Sequence, residues 1–172
     1  YGGQRFFERA EIKHALAYLR LIANPDDDNA FLRVVNFPTR GIGARSLETL
    51  DAAARQGGVT LWQAACAGGA KNKGLAGFVG LVEGMRAEAD GLGLAEMVEV
   101  VLARSGLIEH YKSEKEGESR IENLNELTNA ALAFVAESDD PDLAAFLTHA
   151  ALEAGEHEAG ASASALQLMT VH

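Results

Sequence analysis

Cysteine is nearly missing from this sequence: Cys66 stands alone among 172 residues. A single thiol excludes an internal disulfide and a cysteine-based zinc site, and it fits a reducing, cytoplasmic setting. Read structurally, Cys66 is a small buried apolar side chain. Proline occurs three times and aromatics make up 6% of the chain. With Ala, Leu and Glu abundant, that scarcity favours helices over sheets and points to an all-α domain. No apolar run approaches the roughly 20 residues needed to span a bilayer, so no membrane partner is expected. There is no signal-peptide pattern. No GxxxxGK[ST] loop occurs, so the chain is not expected to bind ATP by itself. His14, His110, His149, His157 and His172 show no metal-ligand spacing, the carboxylates are scattered, and no catalytic constellation is found.

Cations are also outnumbered. The formal net charge is -10, which argues against general nucleic-acid binding. The imbalance is uneven: residues 1 to 55 carry eight Lys/Arg against seven Asp/Glu, and the remainder carries seven against eighteen. Only the first third suits a polyanion. The chain opens at Tyr1 and closes on a strand-like "LQLMTVH", so both ends read as cut from something longer.

What is present is helical periodicity. "EIKHALAYLRLIA" places Ile12, Leu16, Leu19 and Ile22 on one stripe. If that helix reaches back to Arg9, then Arg9, Lys13 and Arg20 form a basic edge within about 40° of one another. Asp26 to Asp28 precede a short helix with Phe31, Val34 and Val35 inward, and Pro38 closes it. A second helix runs from about Ala44 to Gln56, with Leu47 and Leu50 inward. Further helices are expected at "TLWQAACAG", from Lys71 to Asp90, and up to about Arg104 with a brief turn after it. Ser119 to Glu137 is the most regular, with Ile121, Leu124, Leu127, Leu132 and Val135 on one side. Asp140 and Pro141 stand where an N-cap and first helical position belong, so a last helix should cover about 141 to 154. "GEHEAGASASA" reads as a flexible linker over 155 to 165.

The most specific local feature is "FPTRGIGARS", between the two short helices. Gly41 and Gly43 suit a tight turn that a ligand's backbone can approach closely. The following helix then points free N–H groups outward, a phosphate site that needs no net positive charge. Ile42 can pack back to hold the turn, while Thr39, Arg40, Arg45 and Ser46 surround it with donors. This is the physics of a helix-hairpin-helix that grips duplex backbone without reading bases. The other reading is an ordinary helix-to-helix turn with convenient glycines.

The run "YGGQRFFERAEIKHALAYLRLIANPDDDNAFLRVVNFPTRGIG" is followed in order by "TLWQA", "SGL", "RIENLNEL", "AFLTHAALEAGE" and "LQLMTVH". Over nearly its whole length the chain thereby resembles the superfamily 1 DNA helicases of the UvrD, Rep and PcrA type. The resemblance implies a helical 2B accessory subdomain over 10 to 154, with residues 1 to 9 leaving the 2A motor domain and 166 to 172 re-entering it. Tyr1 to about Phe7 and "LQLMTVH" would be strands. Thr170 and His172 would open a helicase motif that stops short here.

By the same resemblance, Gly41, Ile42 and Gly43 match an element holding the duplex ahead of the junction, and Lys13, Arg20, Arg45 and Ser46 match neighbouring backbone contacts. His14 stands where an aspartate is expected and Ser46 where a threonine is. The parent is implied to be an ATP-dependent 3′ to 5′ DNA helicase of nucleotide excision and mismatch repair. ATP and Mg2+ are then held by its motor domains, with no cofactor in this piece. The implied partners are duplex DNA at a single-strand/double-strand junction, the motor domains of the same chain and DNA-repair proteins, in a nucleoid-associated setting. The alternative is a protein-docking and autoinhibitory module with little DNA affinity of its own.

Overall fold

The computed structural model describes residues 4–68 and 72–155. Among them there are helices and turns and no strand. In chain order the helices are α1 (Gln4–Glu8), α2 (Ala10–Ala23), α3 (Asp28–Val34), α4 (Ala44–Gly57) and α5 (Leu61–Gly68), then α6 (Lys73–Ala89), α7 (Leu94–Arg104), α8 (Leu107–Lys112) and α9 (Gly117–Glu137). A tenth, α10, covers 143–155. The linker proposed from Gly155 onward and the "LQLMTVH" segment with Thr170 and His172 lie outside the described residues beyond Gly155, as does Tyr1.

The organising element is α2. Ile12, Leu16, Leu19 and Ile22 are buried, but so are Ala15, Ala17, Tyr18 and Leu21. A helix apolar on so many sides belongs in the middle of a bundle rather than on its surface, and α2 packs against α3, α6, α7 and α9. A polar anchor fixes its start. Glu11 is 2% exposed, and its carboxylate accepts from Arg120 Nη1 at 3.2 Å and Asn123 Nδ2 at 2.8 Å on α9. A buried carboxylate with two such donors avoids most of its desolvation cost and fixes how α9 lies on α2.

The three consecutive aspartates each do separate work. Asp27 caps α3 by accepting from Ala30 N–H at 3.0 Å, and Asp28 accepts from Leu61 N–H at 3.0 Å at the start of α5. Asp26 accepts from the Thr60 hydroxyl at 2.6 Å. Two of the three therefore tie α5 to the α2–α3 corner.

Several expectations are corrected. The stretch up to Phe7 is not a strand where it is described: Gln4–Glu8 is helical. An extended chain would send Phe6 and Phe7 to opposite faces, whereas a helical turn lets both be buried, with Phe7 edge-on to Phe146 of α10 at 6.3 Å. Arg9 does not join α2 but precedes it with extended backbone (φ -64, ψ 140), so the basic edge does not continue back to it.

On α9, Leu132 and Val135 are exposed at 53% and 39%. Leu132 stands about 140° around the helix from Leu127, and the inward line instead follows Leu124, Leu127, Ala131 and the half-buried Phe134. The N-cap of α10 is Asp142 rather than Asp140, since its carboxylate accepts from Ala145 N–H at 2.8 Å. Pro141 accordingly precedes the cap. Cys66 is exposed, because α5 turns Leu61, Ala64 and Ala65 inward and Cys66 falls one step off that face.

Candidate nucleic-acid interface

Residues 36 to 43 leave α3 and enter α4 through a turn held from several sides. The side-chain oxygen of Asn36 accepts from Arg40 N–H at 2.7 Å and from Ile42 N–H at 3.2 Å. One side chain thus ties down two backbone donors that the turn leaves unpaired. The Phe37-Pro38 peptide is cis. Gly41 has φ +72, a left-handed conformation that glycine adopts without the Cβ clash other residues meet. Ile42 is 2% exposed and lies against α6: a Cβ at Gly74 would come within 2.7 Å of Ile42 Cγ1 and 2.8 Å of the Arg40 carbonyl. Gly74 therefore lets α6 approach the turn.

Arg40 departs from its expected role. Its guanidinium turns inward, donating from Nη1 to the carbonyls of Val34 at 2.8 Å, Val35 at 3.3 Å and Pro38 at 3.1 Å. Nη2 donates to the Tyr18 hydroxyl at 2.5 Å and the Ser105 carbonyl at 3.3 Å. The cation also lies 5.2 Å from the Phe78 ring centroid and 5.8 Å from that of Tyr18. With its donors so occupied, Arg40 braces the turn and has no phosphate to meet. Tyr18 completes the brace by donating to the Phe37 carbonyl; burial raises its phenol above the ordinary value, against the opposing pull of Arg40.

The other side of the turn faces out. Thr39, Gly41, Gly43, Ala44 and Arg45 are exposed. Gly43 is the N-cap of α4, with φ -84, ψ 173 and no side-chain cap. The first α4 hydrogen bond runs from Leu47 N–H to the Gly43 carbonyl at 3.2 Å, and the N–H groups of Ala44, Arg45 and Ser46 meet no acceptor among the described residues. Nothing lies within 4 Å of where a Cβ on Gly43 would be, so that end of α4 is open to an incoming group. Ser46 is half-buried and its Oγ accepts from Asn72 Nδ2 at 3.0 Å. Asn72 in turn caps α6 through Leu75 N–H at 3.1 Å. The arrangement joins unpaired N–H donors, a helix dipole and the Arg45 cation, which suits an anionic oxygen rather than a reacting group.

Lys13 and Arg20 do not line this surface. They line a separate groove of about 310 Å³ between α2, α3 and α10, together with Arg33. Sequence reasoning missed Arg33, since the neighbourhood of α2 and α3 is set by tertiary packing. It also missed Asn36, Tyr18 and Asn72, although a tyrosine on an apolar stripe signals a hydroxyl needing a partner. His14 stacks on Phe37, with ring centroids 3.9 Å apart and an interplanar angle of 13°. Burial lowers its pKa from the ordinary 6.5 against the opposing Ala10 backbone, with Arg33 and His110 lowering it further. Among the described residues no group of His, Cys, Asp and Glu could hold a metal ion, and no helix is long and apolar enough to cross a membrane.

Comparison with known proteins gives a consistent picture. The family model for the UvrD-like helicase C-terminal domain matches residues 1–172. The chain is 48% identical over 185 residues to DNA helicase II of Escherichia coli K12, covering all of this chain and 26% of that protein. Against DNA helicase II of Haemophilus influenzae the identity is 45%, with 100% and 25% covered. Against the ATP-dependent DNA helicase PcrA of Bacillus subtilis it is 39%, with 99% and 25% covered. The chain spans about a quarter of the length of these curated relatives.

Proposed function

The chain belongs to the UvrD-like helicase C-terminal domain family, and from that premise we propose that it acts as the 2B accessory subdomain of an ATP-dependent 3′ to 5′ DNA helicase. Its task is to hold the duplex backbone ahead of the single-strand/double-strand junction and to regulate unwinding by reorienting against the motor domains. ATP and Mg2+ are bound by motor-domain residues elsewhere in the helicase. Relatives named as DNA helicases support the setting.

The observation that carries this reading is the exposed N-terminus of α4, with N–H groups unpaired among the described residues beside Arg45 and no side chain at Gly43. Backbone donors contact phosphate oxygens at any sequence, so the contact positions the duplex without specifying bases. Gly41 and Gly43 leave the approach open, Ile42 anchors the turn, Thr39 and Ser46 supply hydroxyls, and Lys13 and Arg20 would contribute charge from their separate groove.

The test is fluorescence anisotropy of a labelled DNA hairpin with a 3′ single-stranded tail, titrated at low salt with the wild-type chain and Gly43→Asp. Aspartate is a favourable N-cap and fits the extended backbone there, so the variant keeps its fold while placing a carboxylate on the proposed phosphate site. Salt-sensitive binding that falls more than tenfold in Gly43→Asp is the expected result. A folded wild-type chain without DNA affinity would sink the reading and favour the docking alternative, in which exposed Leu132 and Val135 of α9 meet a protein.

A further inference from the structure

The cleft between α4, α5 and α6 has a volume of about 480 Å³, within the range of small-molecule sites. Its floor is apolar: Leu50 of α4, Ala64 and Ala65 of α5 and Leu75 of α6 line it and are all buried. Polarity gathers at one end. Arg45, Ser46 and Thr49 come from the first two turns of α4, and the hydrogen bond from Asn72 to Ser46 closes that end by joining α4 to the N-cap of α6. Among the described residues Arg45 is the one charged side chain on the cleft, and it takes part in no ion pair. The grooves beside Glu116 and Glu83, by contrast, mix charges of both signs.

We infer that this cleft binds a small amphipathic carboxylate, its apolar body on the alanine and leucine floor and its carboxylate on Arg45. Three features select that chemistry. Arg45 and Ala53 both line the cleft and are eight residues apart, about 12 Å along α4, so the cationic and apolar ends stand apart as the head and tail of an elongated ligand do. The guanidinium is a planar fork that can meet both carboxylate oxygens. Ala53, Ala64, Ala65 and Gly68 carry a methyl group or less, which leaves room for an unbranched body between α4 and α5. A free inorganic anion would leave the floor to water, and an uncharged hydrocarbon would leave Arg45 without a partner. The ligand site stands apart from the duplex-binding reading above, but one consequence rests on that reading. Arg45 belongs to both surfaces, so a carboxylate in the cleft takes a cation from the duplex contact and antagonises DNA binding.

The experiment titrates octanoate into the wild-type, Ala53→Phe and Arg45→Ala chains by isothermal calorimetry, with acetate and octanol as probes of head and tail alone. One octanoate per wild-type chain is expected, bound about tenfold more tightly than either acetate or octanol. Ala53→Phe fills the tail end and should abolish that binding, while Arg45→Ala should weaken it about tenfold. Both variants should keep the wild-type melting temperature because both positions are exposed. Saturating octanoate is then expected to weaken the tailed hairpin several-fold for the wild-type chain and to leave it unchanged for Ala53→Phe. Absence of octanoate binding by the folded wild-type chain would overturn the site, as would equal affinity for octanoate and octanol or wild-type octanoate affinity in either variant. If Ala53→Phe melts early, Arg45→Ala and the octanol control decide the matter in the same way. Octanoate bound as expected with hairpin affinity unmoved would overturn the antagonism. Octanoate bound by a folded chain that has no hairpin affinity would uphold the ligand site and sink the duplex-binding reading instead.

Discussion

The turn between α3 and α4 has an inward half and an outward half, and the contrast between Arg40 and Arg45 shows how differently they work. Both are cations, five residues apart, at the edges of the same glycine turn. Arg40 meets backbone carbonyls, a tyrosine hydroxyl and two aromatic rings. Arg45 is exposed at the start of α4 beside N–H groups that meet no acceptor among the described residues. Rigidity comes from the first half and accessibility from the second. A loosely held turn would have to be ordered on binding, whereas one already braced presents its donors at little entropic cost.

The largest effect is expected from breaking the inward half. Arg40→Ala leaves several buried carbonyls and the Tyr18 hydroxyl without their donor, and should destabilise the chain by about 3 kcal/mol, read as a lowered urea midpoint. If the midpoint stays at the wild-type value, the inward brace is not holding the turn. Gly74→Ala tests the same half from α6. Its new methyl meets Ile42 and the Arg40 carbonyl, the latter being backbone that cannot swing away, and a loss of roughly 2 kcal/mol is expected.

Arg45→Ala probes the outward half and should do the reverse. Its thermal midpoint should stay within about a degree of wild-type, while affinity for the tailed hairpin at low salt drops several-fold and the salt slope falls by about one. Equal losses of stability from Arg40→Ala and Arg45→Ala would erase the division between the halves.

The smallest effect concerns pH. His14 packs on Phe37 at the head of the inward half, with its pKa lowered mainly by burial and with Arg33, His110 and Glu11 as the charged or titratable groups acting on it. As pH falls through 6.5, the unfolded chain takes up the proton before the folded one. Stability therefore declines as pH drops below neutral and levels off once the folded pKa is passed. His14→Phe keeps a stacked ring without a titrating proton and should flatten that part of a stability-against-pH curve measured by urea unfolding. An unchanged slope would remove His14 from the account.

Much of the helical framework was legible in the sequence because local spacing controls it. The stripe of α2, the cap region before α3, the break after Arg104 and the extent of α4 all follow from periodicity and punctuation. Errors arose where one stripe could be drawn in two ways, as with Leu132 against Ala131 on α9, or where several aspartates could cap one helix, as at Asp140 and Asp142. At the candidate interface, the glycines and the α4 N-terminus were visible as a pattern, but the direction of Arg40 was not. Nothing local distinguishes a cation that faces solvent from one that enters a pocket formed by Tyr18, Phe78 and Ser105, from 22 to 65 residues away.

By itself the sequence determined an all-α domain, its family resemblance and the existence of a glycine turn that opens a helix, since these depend on composition, periodicity and contiguous motifs. The tertiary structure alone decided which arginine braces and which is offered outward, that Gly74 brings α6 against the turn, and that Arg33 joins Lys13 and Arg20 around one groove. The physical reason is that solvation, hydrogen-bond partnership and close approach are properties of neighbours in space, and folding brings those neighbours from distant parts of the chain.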